Sequence, residues 1–314
     1  MEAAGHTAAG ARAVPALGTA RRRRGEDLIK ALLILAALLS VLTTTGIVVA
    51  LLRETVDFFG DVGISEFLFG TKWTPLFTPG SFGVLPLVVG TLLTSAIAMV
   101  VATPLGLGAA IYLSEYARPK VRKTIKPALE LLAGVPTIVF GYFALTFFTP
   151  EILRDLLKVE VNIFNVLGAG IIMGFMIIPT IASVAEDAMS AVPQSLREGA
   201  FGLGAAKLQV SLRVVFPAAL SGIVAAIVLG VSRAVGETMI VLIAAGQVAS
   251  MALDPRDPHY TLASFIGATA KGDIPTGSVE FKTIFAVGMV LFVLTLIMNT
   301  ISIRFVRKYR QVYE

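Results

Sequence analysis

The sequence contains no cysteine and only two histidines among its 314 residues, and few of its side chains carry a charge. The lack of cysteine excludes disulfides, thiolate metal sites and a cysteine nucleophile. His6 and His259 lie far apart in the sequence, which leaves little of the usual material for a metal site or a catalytic triad. Asp, Glu, Lys and Arg make up 15% of the residues, against about 25% in a typical soluble domain. A soluble protein is therefore not expected.

Long uncharged segments dominate the chain instead, and 56% of the residues are hydrophobic. A helix needs about 20 apolar residues to cross the roughly 30 Å hydrocarbon layer of a membrane. We therefore predict an all-α polytopic membrane protein, with six transmembrane helices in one domain over residues 25–314. The predicted spans are about 28–52, 84–113, 129–150, 162–187, 218–245 and 283–304. The Ala- and Gly-rich residues 1–24 are predicted to form a disordered cytoplasmic tail.

The distribution of basic residues predicts the orientation of the chain. Of the 26 Lys and Arg residues, 17 fall in the amino terminus, the carboxyl terminus and the second and fourth loops, and 7 fall in the other three loops. Because positively charged loops stay in the cytoplasm, both termini are predicted to be cytoplasmic. The net charge of +5 is explained in this way, and no nucleic-acid partner is expected. The external segment 53–83 is rich in aromatic residues and is predicted to lie along the outer membrane surface.

The cytoplasmic loop 190–217 carries a spaced signature. Glu198, Gly199 and Ala200 are followed after three residues by Gly204, and after nine more by Val-Val-Phe-Pro. This pattern resembles the EAA motif of ABC importer permeases (EAA-x3-G-x9-I-x-L-P), with glycine in place of the first alanine. In that family the loop forms a short helix and a glycine turn that docks onto an ATPase subunit. The resemblance implies an ATPase-coupling role for these four residues, whereas a shorter match would fit an ordinary basic surface loop.

Further stretches resemble the PstC-type permeases of phosphate-specific ABC importers. They are Trp73-Thr-Pro, Phe82-Gly-Val-Leu-Pro, Thr103-Pro-Leu-Gly, Ile111-Tyr-Leu-Ser-Glu-Tyr, Leu132-Ala-Gly-Val-Pro-Thr and Arg233-Ala-Val-Gly-Glu-Thr-Met. The resemblance covers about residues 25–311 and implies the type I ABC importer permease fold. It also implies a location in the cytoplasmic (inner) membrane and import of inorganic phosphate by alternating access. The paired PstA-type permease usually differs directly after the Arg and Glu of the last stretch, which favours the PstC type.

The same resemblance implies a set of partners. They are a related PstA-type permease, two PstB-type ATPase subunits and an external PstS-type phosphate-binding protein, all acting in membrane lipid. The chain has no G-x-x-x-x-G-K-[ST] sequence, which is the usual loop that holds the phosphates of ATP. We therefore expect a transport subunit that is not an enzyme and binds no cofactor or metal, while its ATPase partners use the ATP.

Arg233 and Glu237 are charged residues within the predicted fifth span. Each charge at the membrane centre costs roughly 2.5 to 3.5 kcal/mol, so both are expected to face the interior of the bundle. At a spacing of four residues they would share one helix face, and Glu237 would hold Arg233 in place. The family associates this Arg and Glu with the path of phosphate, and a purely structural ion pair is the alternative.

Other charged residues receive ordinary structural interpretations. Glu186 and Asp187 are expected to be solvated at the cytoplasmic end of the fourth span, and His259 to be a polar loop residue. Three other functions stay open. An ABC permease for molybdate or sulfate would need the same residues. An ion-coupled secondary carrier would often show inverted repeats and would not need the cytoplasmic loop. A membrane enzyme would need a catalytic constellation that is not seen here.

Overall fold

The computed structural model describes residues 24–77, 79–272 and 274–309, and it confirms the predicted all-α fold. These residues contain no strand, only one isolated bridge between Trp73 and Phe82. The helices are α1 (Arg24–Asp61), α2 (Ile64–Phe69), α3 (Leu85–Ile111), α4 (Pro119–Ala133), α5 (Thr137–Phe143), α6 (Val166–Ser190), α7 (Gln194–Gly202), α8 (Lys207–Val210), α9 (Phe216–Ala218), α10 (Leu220–Val235), α11 (Leu262–Thr269) and α12 (Val279–Tyr309). The predicted tail 1–24 lies outside the described residues, except for Arg24, which begins α1.

Four helices of the described residues are long and apolar enough to cross a membrane. They are Glu26–Asp61, Leu85–Tyr116, Val166–Ser190 and Val279–Arg304. Two further helix pairs qualify only when each is counted as one bent span: Pro119–Ala133 with Thr137–Leu156, bent by 84°, and Lys207–Ala218 with Leu220–Val235, bent by 75°. The described residues therefore hold the predicted six spans when each bent pair is one span.

The chain divides after Ala50 into two compact units. The first unit contains α1 up to Ala50, in which Thr43 and Thr44 donate hydrogen bonds to the carbonyls of Leu39 and Ser40 over 2.8 and 3.0 Å. These hydroxyls are thus satisfied within their own helix, as an apolar environment requires. The second unit begins at Leu51 and contains the other helices.

Close packing of α3 against α6 forms the centre of the second unit. Gly170 and Gly174 of α6 face α3: a Cβ atom on Gly170 would lie 2.8 Å from the Cβ of Ile97, and one on Gly174 would lie 2.8 Å from the carbonyl oxygen of Ala98. Only glycine permits this approach of the two backbones. Helix α10 packs against α6 and α12. Helix α6 thus lies between α3 and α10, and it contains the largest share of the buried residues.

The predicted third and fifth helices are interrupted. The segment 129–150 is broken at Gly134–Pro136, because Pro136 disfavours the helical conformation of the residue before it, and the helix before the break extends back to Pro119. The segment 218–245 is broken at Gly236, which follows the end of α10. Helix α6 begins at Val166 rather than 162, because the Asn165 side chain caps it by accepting a hydrogen bond from the Gly168 N–H.

The central aromatic residues of segment 53–83 pack into the protein, and the place of the segment along the outer membrane surface stays a prediction. Phe58, Phe67 and Trp73 are buried in a cluster with Leu87 and Phe265. Trp73 makes an edge-on contact with Phe265, with ring centroids 4.9 Å apart. Burial of such large apolar side chains is strongly favourable, so this segment forms a second core.

Candidate functional site: the interrupted α10 helix and the 190–217 loop

Arg233 lies in the last turn of α10 and reaches the neighbouring helix α6. Its Nη1 donates a hydrogen bond to the Thr180 Oγ1 over 2.8 Å, and the arginine is half-buried. A guanidinium group has five N–H donors. Within the described residues this is the one hydrogen bond that Arg233 makes, and it has no carboxylate within 4 Å. The cation therefore keeps donors that an anion could use.

Glu237 follows the break in α10 and does not pair with Arg233. Gly236 ends α10, and the buried Glu237 Oε1 accepts hydrogen bonds from the N–H groups of Met239 and Ile240 over 3.0 and 3.2 Å. It therefore caps the start of the next helical segment, where a negative charge is stabilised by the helix dipole. The prediction that Arg233 and Glu237 share one face of a continuous helix is wrong, because the helix unwinds between them.

The loop 190–217 forms a short helix and a tight turn. Glu198, Gly199 and Ala200 lie in α7, with the first two exposed and Ala200 half-buried. Gly204 has φ 81°, which lies in the left-handed region that favours glycine. The Ala205 N–H bonds back to the Ala200 carbonyl over 3.1 Å, and this bond satisfies a carbonyl at the helix end. Most residues of α7 and of this turn are exposed, and together they form a surface projection.

Arg197 anchors this projection, and the sequence interpretation missed it. The residue is 8% exposed. Its guanidinium donates to the carbonyls of Val192 and Met189, over 2.5 and 2.8 Å, and to the Glu115 Oε1 over 3.0 Å. It thus ties α7 to the end of α6 and to the π-helical turn Tyr112–Tyr116. Its position directly before Glu198 of the motif could have suggested a role in the loop. Its partner Glu115, however, lies 82 residues away in the sequence.

Glu186 is fully buried near the end of α6, so the expectation that it is solvated is wrong. It forms ion pairs with Arg122 and with Lys126, the latter over 2.8 Å, and accepts a hydrogen bond from the Ser190 hydroxyl over 2.9 Å. Asp187 is 63% exposed and also contacts Lys126, over 2.5 Å. A buried carboxylate needs such partners, and these two bases attach α4 to α6.

A polar cavity of about 660 Å³ lies between the segment after α5 and the loop before α11. Its charged lining residues are the bases Arg154, Lys158 and Arg256 and the acids Glu160, Asp254 and Asp257. Hydrogen bonds from Arg256 lower the pKa of Asp254 from 3.8 to about 2. The cavity is thus lined by equal numbers of bases and acids.

His259, expected to be a polar loop residue, is fully buried beside this region. Its Nε2 lies 2.7 Å from the Ala252 carbonyl oxygen. The residue therefore holds its own loop in place.

Membrane-length helices, an interrupted helix with a half-buried cation and the exposed 190–217 loop describe a multi-pass membrane protein. Residues 102–311 match the family model of the binding-protein-dependent transport system inner membrane component. The chain belongs to this family.

Relatives and solved structures agree with this family. The chain is 33% identical to the "Probable ABC transporter permease protein YqgH" of Bacillus subtilis, over 94% of this chain and 95% of that protein. It is 32% identical to the "Phosphate transport system permease protein PstC" of Haemophilus influenzae, over 91% and 94% of the two chains. Its fold is similar to that of a bacterial ABC transporter involved in the import of alginate, with a TM-score of 0.63 at 15% identity over 91% and 99% of the chains. The predicted type I importer permease fold is confirmed.

Proposed function

We propose that this chain is the PstC-type permease subunit of an ATP-driven importer of inorganic phosphate in the cytoplasmic membrane. The similarity to phosphate permeases named PstC over most of the chain carries the proposal. Arg233 supports it, because a guanidinium presents parallel donors that match the oxygens of phosphate and stays charged at any physiological pH. Glu237 contributes to the path by fixing the backbone next to Arg233.

The proposed partners are a PstA-type permease, two PstB-type ATPase subunits and an external PstS-type phosphate-binding protein. The projection formed by Glu198, Gly199, Ala200 and the Gly204 turn is proposed to dock onto an ATPase subunit. This chain then supplies the membrane path while ATP is bound and hydrolysed by its partners. An ABC permease for sulfate or molybdate is the second candidate, because tetrahedral oxyanions present similar oxygens to Arg233.

Reconstitution into vesicles tests this function. With all four partner types present, we expect uptake of labelled phosphate that requires ATP and the loaded external protein, and that an excess of sulfate or molybdate does not reduce. Transport by this chain alone, driven by an ion gradient, would show a secondary carrier. Equal competition by sulfate would point to a different oxyanion importer.

The proposed orientation places both termini in the cytoplasm. Reporter fusions after Lys158 and after Lys271 are expected to report the outside, and fusions after Lys123, Lys207 and Arg310 the inside, because the more basic loops stay in the cytoplasm. The measurement is a pair of reporters, one active only outside and one only in the cytoplasm. One inverted site would contradict the six-span topology.

A further inference from the structure

Helix α4 runs in a different direction from the segment that follows it. The two are bent by 84° against each other. In the proposed function this pair is one bent span. When Thr137–Leu156 is the part that crosses the membrane, α4 runs close to the membrane plane. Val121, Ile125 and Leu129 recur on one face and are half-buried, and α4 packs against α6. Leu131 and Leu132 are exposed. Exposed leucines beside exposed bases are suited to a membrane interface.

The first half of α4 and the residue before it carry a concentrated positive charge. Five bases and no acid occur between Glu115 and Glu130: Arg118, Lys120, Arg122, Lys123 and Lys126. Arg122 and Lys126 hold the buried Glu186, which fixes α4 to the bundle. The remaining three bases are exposed and form no ion pair with any described residue. Their charge is therefore available to a ligand.

A pocket of about 530 Å³ opens between α4 and the preceding π-helical turn. The bases in its lining are Arg122 and Lys126, which pair with Glu186, and Lys123, which forms no ion pair with any described residue. The acid Glu130 also lines it, and Leu113 and Pro127 add apolar surface. The neighbouring Leu131 is 76% exposed. The site thus combines an unpaired base with exposed apolar surface.

We propose that α4 and this pocket bind the phosphate group of an anionic membrane phospholipid, such as phosphatidylglycerol. Basic pockets beside membrane helices on the cytoplasmic side are suited to such headgroups. The exposed Leu131 and Leu132 favour a lipid over free phosphate, because a free anion has no acyl chain to place against them. The inference rests on the proposed function for the direction of α4 and for its place on the cytoplasmic side, and lipid binding is measured without transport.

The test uses the purified transporter complex and two lipids. Native mass spectrometry measures the occupancy of phosphatidylglycerol and of phosphatidylcholine as each is added to the detergent solution. The wild type is expected to prefer phosphatidylglycerol. The triple variant Arg118→Gln, Lys120→Gln, Lys123→Gln is expected to lose about tenfold or more of this preference, because each base near an anionic surface contributes about fivefold.

A matched control removes three exposed bases elsewhere in the chain. The variant Arg53→Gln, Lys72→Gln, Lys271→Gln loses the same charge and is expected to keep the preference. Retention of the ATPase subunits shows that each complex is assembled. If the α4 triple variant does not assemble, Lys123→Gln alone is expected to reduce the preference about fivefold.

Two results would overturn the lipid site. The first is an assembled α4 variant with the preference of the wild type. The second is release of bound phosphatidylglycerol by excess inorganic phosphate, which would make the pocket a site for the free anion. Loss of phosphate transport with unchanged lipid binding would bear on the proposed function alone.

Discussion

Replacement of Arg233 by Gln is expected to lower the rate of phosphate uptake about 10- to 100-fold, with normal assembly of the transporter. A hydrogen bond to a charged group contributes about 1.5–3 kcal/mol, which corresponds to this range of rates when one is lost as phosphate passes. Arg233 has no carboxylate within 4 Å among the described residues, so its charge is available to the anion. Uptake of labelled phosphate by proteoliposomes measures the effect.

Two milder variants of this site serve as controls. Arg233→Lys keeps the charge but loses the planar fork of donors, so uptake is expected to fall only severalfold. Thr180→Val removes the one hydrogen bond that orients the guanidinium within the described residues and leaves the cation in place. A loss in Thr180→Val as large as that in Arg233→Gln would mean that the arginine acts through α6 packing and not on the anion.

Glu237 provides a second control, because it caps a helix and does not neutralise Arg233. In Glu237→Gln the amide oxygen can still accept from the N–H groups of Met239 and Ile240, so a smaller loss than in Arg233→Gln is expected. The double variant is expected to transport as poorly as Arg233→Gln. Recovery of uptake in the double variant would reveal a structural charge pair and contradict a substrate role for Arg233.

Replacement of Gly204 by Ile is expected to uncouple ATP hydrolysis from phosphate uptake without loss of membrane insertion. The left-handed backbone at Gly204, with φ 81°, costs about 1 kcal/mol or more for a residue with a Cβ atom. A Cβ at this position would meet no atom within 4 Å, so the strain arises from the backbone alone. The turn is expected to shift and move α7 out of its fit with the ATPase. The ratio of phosphate imported to ATP hydrolysed is the measurement.

Gly199 is the matched control for this change. It lies inside α7, and a Cβ there also meets no atom within 4 Å. Gly199→Ala restores the alanine of the family motif and favours the helix by about 0.5–1 kcal/mol, so coupling is expected to be retained. A wild-type ratio of phosphate imported to ATP hydrolysed in Gly204→Ile would show that this turn does not couple ATP hydrolysis to transport.

Local patterns in the chain predicted much of the fold. The length of each uncharged segment predicted the membrane helices, because the cost of placing charges in hydrocarbon acts on each segment separately. The spacing from Glu198 to Gly204 predicted the short helix and turn, which depend on residues close in sequence.

Contacts between distant residues explain the predictions that were wrong. The hydropathy of the sequence does not reveal the helix break at Gly236, because the segments on both sides of it are apolar. Glu186 resembled a solvated charge at a helix end, yet it is buried against Lys126, 60 residues away. The anchoring role of Arg197 depends on Glu115, which lies 82 residues away. None of these partners follows from spacing along one helix.

The sequence by itself determined that the chain is a helical membrane protein with an EAA-type loop, because hydrophobic length, basic loops and motif spacing are properties of the chain alone. Only the tertiary structure decided what each charge does. It separated Arg233 from Glu237 by unwinding the helix between them, and it placed Thr180, 53 residues away, next to the arginine. The physical reason is that a charge in an apolar bundle takes the partner that folding brings within hydrogen-bonding distance.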